Sequence, residues 1–245
     1  KPIDKKSNYV KRCVGIPGDT LELINGFVHT NGEKNTYSSR TKVQFSHSAY
    51  AKKGVSSRKL LAEGFESFNR RYKIENITVS SYQQLLPYII NRYGNTPDNF
   101  VVTTESKGLP PKLIGQLGLR VSELLEARKE MTLTLKEAEL LRNVAGIDSV
   151  IRRVASVKVP NESFFPNKIP FDWNEDNFGP ILVPKKGMTV ALNRSNLPLY
   201  KKIITDYELN ELELTPSEIV INGMPSNSYT LKKNYYWMMG DNRHR

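Results

Sequence analysis

Cysteine and histidine are almost missing from this 245-residue chain. The single cysteine, Cys13, excludes an internal disulfide framework and any cysteine-based metal cluster. Three histidines, His29, His47 and His244, show no metal-ligand spacing among themselves, so no zinc pattern is present. Long hydrophobic runs are also lacking: no stretch approaches the roughly 18 apolar residues that cross a bilayer. The chain begins at a lysine rather than a methionine and reads as a soluble part excised from a longer protein. The missing span therefore says little about the full-length product. Cys13 follows a Lys-Arg pair in a hydrophobic strand pattern and is expected to be a buried structural thiol.

What is present is ordinary for a folded protein. Charged residues make up 25% and hydrophobic residues 38%, and the length suffices to bury a real core in one or two domains. The net charge of +11 suits an anionic membrane surface, nucleic acid or plain solubility. Its basic pairs (Lys5-Lys6, Arg70-Arg71, Arg152-Arg153, Lys185-Lys186, Lys201-Lys202) are scattered, as on a solvated surface. No DNA-reading motif accompanies them, and nucleic acid is not expected as a partner.

Residues 9–30 read as β structure. Asn25-Gly26 lies between short apolar segments, a strong hairpin signal because both turn residues need positive φ, and Asn31-Gly32 closes this part. Gly15-Ile16-Pro17-Gly18-Asp19 is a sharp connection between strands. From about 33 to 176 the character changes, first to Ser, Thr, Lys and Asn, then to helical signatures. Ser80 to Gln83 and Thr134 to Glu137 each form a capping-box pattern before leucine pairs, and Pro87 should shorten or kink the first helix. Ile77–Ser80 and Met131–Thr134 are alike enough to suggest a degenerate strand-to-helix repeat, or coincidence.

β character returns near residue 177. The spacing predicts a hairpin of 181–183 with 188–192 through Pro184–Gly187, a helix opening at Asn196-Leu197-Pro198, and a hairpin of 218–221 with 228–231. A final strand runs into Met238-Met239-Gly240. The expected organisation is mainly β. An antiparallel core comes from residues 1–32 and 177–245, because neither end can bury itself alone, and an α+β subdomain is inserted at 33–176.

Two segments carry chemistry. Near the start stands Asn8-Tyr9-Val10-Lys11-Arg12-Cys13-Val14-Gly15-Ile16-Pro17-Gly18-Asp19; at the end stands Tyr235-Tyr236-Trp237-Met238-Met239-Gly240-Asp241-Asn242-Arg243. Strand alternation puts Tyr9, Lys11 and Cys13 on one face and Val10 and Arg12 on the other. Taken alone, Lys11 is one of 36 basic residues on an exposed strand, and Gly-Asp-Asn-Arg is a turn. Taken together, in this order, the pair resembles the two best-marked boxes of the type I signal peptidases, the Ser–Lys proteases that remove secretory signal sequences.

The resemblance is specific at the ends and faint in the long middle. It implies a signal-peptidase-like β core, with Lys11 as general base. Tyr9 and Val10 would stand beside the substrate cleft, with Met238 packed over the lysine. Arg12, Gly240, Asp241, Asn242 and Arg243 would support the site structurally, Asp241 pairing with Arg12 or Arg243. Burial lowers a lysine pKa by up to about 3–5 units, so an inward Lys11 under the Met238-Met239 strand is expected. The family needs no metal or organic cofactor. Its partners are preprotein signal peptides with small residues at the cleavage site and a membrane lipid surface, to which the basic insertion would be drawn. Its place is the bacterial cytoplasmic (inner) membrane, with the catalytic domain on the outer, periplasmic face.

Two departures stand out. The family's serine lies upstream of the lysine in a Ser-Gly-Ser-Met-type segment that this chain does not contain, and Ser7 has the wrong neighbours. The second box continues here as His244-Arg245 rather than with the Ser and Asp that orient the lysine. The present chain is therefore expected to lack peptidase activity by itself. The alternative is a non-catalytic interaction or scaffold protein, an inactive paralogue binding partners or anionic membrane through the basic insertion. Tyr235, Tyr236 and Trp237 suit either an interfacial surface or plain strand packing.

Overall fold

The computed structural model describes residues 9–96, 99–166 and 170–244; Ser7 lies outside them. The protein is mostly β, made of several antiparallel sheets with few helices. It divides into two compact units, one of Lys1–Lys42 with Val154–Arg245 and one of Val43–Arg153. The second unit lies inside the 33–176 span read from composition.

The first unit opens with β1 (Arg12–Gly15), β2 (Thr20–Ile24), β3 (Phe27–Thr30) and β4 (Glu33–Lys34). Asn25-Gly26 and Asn31-Gly32 are the two-residue turns of the β2–β3 and β3–β4 hairpins. All four residues have positive φ (50°, 79°, 55° and 84°), which matches the right-handed twist of the strands they join.

The second unit contains β5 (Gln44–Tyr50), α1 (Ser57–Ala62), β6 (Asn69–Glu75), α2 (Val79–Leu85), β7 (Asn91–Thr96) and β8 (Asn99–Glu105). It continues through α3 (Pro111–Gln116), β9 (Arg120–Glu123), β10 (Arg128–Thr134), α4 (Leu135–Arg142) and β11 (Ser149–Arg152). Its sheets run β10-β5-β11 and β7-β8-β6-β9. Thr134 caps α4 with Glu137 as read from sequence, the Glu137 amide meeting Thr134 Oγ1 at 3.1 Å and the Thr134 amide meeting Glu137 Oε2 at 2.8 Å. The other box is corrected: α2 is capped by Thr78 with Ser81, two residues earlier, because the two hydroxyls exchange bonds with each other's amides. The repeat is limited to order of elements. β10 runs straight into α4, whereas Asn76, at φ 61°, separates β6 from α2. Helix α2 gives way to a 3-10 turn, Leu86–Tyr88, at Pro87.

Back in the first unit are β12 (Phe178–Leu182), β13 (Thr189–Ala191), α5 (Leu197–Lys202), β14 (Leu212–Leu214), β15 (Ile219–Ile221), β16 (Met224–Pro225), β17 (Ser228–Thr230) and β18 (Trp237–Met239). Neither expected hairpin here forms as read. β12 pairs with β2, and β13 pairs with β17. β15 turns through Asn222-Gly223 onto the short β16 instead of Ser228–Thr230. Two cores result. One gathers Val14, Leu21, Leu23, Val28, Phe178 and Val183. The other gathers Val190, Leu192, Leu197, Ile204, Ile219, Ile221, Tyr229 and Leu231 around α5.

Candidate active site

β1 and β18, from opposite ends of the chain, pair antiparallel with Arg12 opposite Met239, Cys13 opposite Met238 and Gly15 opposite Trp237. Residues opposite each other in such a ladder share a face. One face holds Val14 and Met239 against the first core. The other holds Cys13 and Met238, and both are exposed, Met238 to 50%. Lys11 just precedes β1 and lies along this open face, over Gly240 just past β18. A Cβ built on Gly240 would stand 3.0 Å from Lys11 Nζ and 3.7 Å from its Cδ. A side chain at position 240 would press on the lysine amine, while its stem would stay in ordinary contact.

The alternation read from sequence holds, but its direction does not. The face of Lys11 and Cys13 points outward, because the apolar partners of β1 lie on its other side. Lys11 is exposed rather than desolvated under Met238-Met239, and Cys13 is an exposed thiol rather than a buried one. Tyr9 and Val10 are exposed to 79% and 97%.

Behind this face the two boxes are bolted together. Arg12 donates from Nε to Asp241 Oδ1 at 2.9 Å and from Nη2 to Oδ2 at 2.8 Å, a bidentate pair whose planar geometry fixes register. Asp241 thus takes Arg12 as its hydrogen-bonded partner, with Arg243 acting on it through charge alone. The Arg12 bonds hold the Asp241 carboxyl below its ordinary range against an opposing effect of burial, and the same bonds raise Arg12.

Arg243 is buried, and its Nη2 donates to the Tyr37 hydroxyl at 3.2 Å. Its Nε and Nη1 are buried without a hydrogen-bond partner among the described residues. Asn242 Oδ1 accepts from the His244 amide at 3.3 Å, and His244 Nε2 lies 2.9 Å from the buried Asp176 carboxylate. Tyr37 and Asp176 carried no sequence signal: one is a tyrosine in a polar stretch, the other an aspartate in a loop.

Of the aromatic run before β18, Trp237 packs at 5.1 Å from Phe178, and Tyr235 donates to Glu208 at 2.9 Å. Tyr236 is 58% exposed. These residues border an apolar groove of about 290 Å³, with Leu182, Pro184, Tyr200 and Tyr207 among the others lining it. No group of three or more His, Cys, Asp or Glu side chains among the described residues is placed to hold a metal ion.

Residues 1–82 match the family model of signal peptidase, peptidase S26. Over these residues the chain is similar to the type I signal peptidases. The matched span covers the Lys11 box, β1 to β4 and the opening elements of the second unit. The matched family is one of serine peptidases that act on signal-peptide-bearing preproteins and are typically associated with membranes. No curated protein and no solved structure matches the chain. No helix among the described residues is long and apolar enough to cross a membrane.

Proposed function

We propose that this signal peptidase-like chain is the base-bearing part of a Ser–Lys endopeptidase that removes signal peptides from exported preproteins at the bacterial cytoplasmic membrane, its catalytic domain on the outer face. The observation that carries the proposal is Lys11 lying over Gly240 on an open strand face. An extended peptide adds at an edge of the two-stranded β1–β18 ladder and runs beside that face and Met238, side chains entering shallow pockets and Tyr9 and Val10 lining the approach. Arg12, Gly240, Asp241, Asn242 and Arg243 hold the lysine in place from behind.

The serine comes from a segment ahead of Lys11 in the family's order. The Lys11 amine takes the Ser Oγ proton as Oγ bonds to the scissile carbonyl carbon. The carbonyl becomes an oxyanion held by neighbouring donors. The C–N bond then breaks, and the lysine ammonium gives its proton to the departing amine. A water deprotonated by the same amine attacks the acyl ester, releasing the carboxylate and restoring Oγ–H. A lysine amine accepts a proton only when neutral, and exclusion of water favours that form. Covering the open face with substrate and the serine segment supplies that exclusion.

A cleavage assay with an Ala-x-Ala substrate tests this reading. The full-length gene product cuts at that site, and its Lys11→Ala variant does not; an unchanged rate in the variant defeats the assignment.

We also place the membrane contact of this protein at the apolar groove. Tyr236 and Leu182 are exposed at its edge, and Lys185, Lys186, Lys201, Lys202 and Lys232 are exposed on the segments that form it. Aromatic rings and lysines suit the headgroup region. Flotation with anionic vesicles is expected to weaken as salt rises and in Tyr236→Ser. Binding indifferent to lipid charge and to the substitution rejects this placement.

A further inference from the structure

We propose that Tyr37 is a positioning residue for the Lys11 site, its ring and hydroxyl bracing the two guanidinium groups that lock the first box to the second. The inference rests on the reading of Lys11 as the base.

Tyr37 follows β4 and is half-buried. Its ring centroid stands 5.5 Å from Arg12 Cζ and 5.9 Å from Arg243 Cζ, and its hydroxyl accepts the Arg243 Nη2 hydrogen bond at 3.2 Å. One phenol therefore serves a cation from each end of the chain. Like charges this close repel, and a carboxylate between them is the usual remedy. Asp241 is that carboxylate, but both its oxygens are directed at Arg12. Arg243 is left buried, with two of its nitrogens unpartnered among the described residues. A buried cation without its own anion is costly. The negative face of an aromatic ring offsets part of that cost without adding a charge, and the hydroxyl supplies one acceptor.

The link to chemistry runs through chain neighbours. Arg12 adjoins Lys11, and Arg243 lies three residues beyond Gly240, the residue beneath the Lys11 amine. When the brace is lost, the Arg12–Asp241 pair and the β1–β18 ladder alone set the register, and the placement of Lys11 over Gly240 loosens. Misplacement of a reacting group by about 1 Å costs on the order of 100-fold in rate. Tyr37 touches these cations rather than the bound peptide, and acts only through the placement of Lys11, so its effect should fall on the chemical step.

The test uses the full-length gene product, its Tyr37→Leu, Tyr37→Phe and Lys11→Ala variants, and two readouts. In cleavage of an Ala-x-Ala substrate, Tyr37→Leu is expected to lose roughly 10- to 100-fold in kcat with KM unchanged, and Tyr37→Phe, which keeps the ring but not the acceptor of Arg243, to recover part of the loss. In amide hydrogen exchange, Tyr37→Leu is expected to speed exchange in β1 and β18 while β6 and β8 keep their protection. A parental kcat in Tyr37→Leu, or a Tyr37→Phe variant as impaired as Tyr37→Leu, overturns the proposal. So does loosening that spreads equally into β6 and β8, which marks a general structural role. If Lys11→Ala cleaves as fast as the parent, the catalytic reading fails by itself. The exchange of β1 and β18 still decides the brace.

Discussion

Glu208 shows how one buried carboxylate organises the segment that leads into β18. It follows a π-turn, Ile203–Tyr207, after α5 and receives the hydroxyls of Tyr229 at 2.5 Å and Tyr235 at 2.9 Å. The amides of Lys232 and Lys233 add to these, the first at 3.0 Å and the second at 3.1 Å. Burial pushes the Glu208 carboxyl up, but the tyrosine and amide donors outweigh it and hold the group below its ordinary range. Burial also pushes the Tyr229 phenol up to about 12, with Glu208 adding to the effect, so this donor keeps its proton. A depressed carboxylate contributes stability that is present above its unfolded pKa and lost as pH falls through the folded one. Tyr229→Phe is expected to cost about 1.5–3 kcal/mol at neutral pH, and the gap to the parent should narrow once pH drops below about 4. Urea denaturation at a series of pH values measures both. A gap that stays constant into acid would show that the bond does not depend on the charge of Glu208.

At the scale of elements, the two capping boxes set where helices begin in the second unit. Thr134→Ala is expected to destabilise that unit by about 1 kcal/mol and Thr134→Ser by much less, read from denaturation midpoints. Equal midpoints for Thr134→Ala and the parent would mean that packing of Ala138 and Leu141 alone fixes the helix start. The α4 box was legible in the sequence, whereas the α2 box was read two residues too late. Asn25-Gly26 and Asn31-Gly32 close the hairpins they announced, and Pro87 ends α2 on time. Partner choice was not legible. A turn signal reports that the chain reverses, not which strand it meets, and β12 found β2 while β13 found β17 because the two cores claim their apolar faces separately. The site divides in the same way. Lys11, Arg12, Gly240 and Asp241 were legible as a pair of motifs, and the structure makes them neighbours. Alternation gave the face of Lys11 but could not give its direction, which depends on where the core lies. Tyr37 was invisible because a brace between distant residues leaves no local pattern.

At the scale of the whole molecule, the second unit interrupts the first between Lys42 and Val154. Its two ends leave from neighbouring strands, with Arg152 opposite His47 in the β5–β11 pair. An insertion whose ends lie close together can be accommodated by its host without spreading the host's own strands. The β1–β18 ladder is thus assembled from segments more than two hundred residues apart in sequence, with Arg12 and Asp241 as its clasp. The central claim, that Lys11 is a base and not only part of this scaffold, has a direct test by chemical rescue. Lys11→Cys is made in a full-length, Cys13→Ser background, because the exposed Cys13 would otherwise react as well. Alkylation with 2-bromoethylamine then rebuilds a lysine-like amine at position 11. No cleavage is expected before alkylation and recovered cleavage after it, with the acid limb of the pH–rate profile moved down because the thioether makes the new amine less basic. Parental cleavage by the unmodified Cys variant, or no recovery in a folded, fully alkylated protein, would contradict that claim.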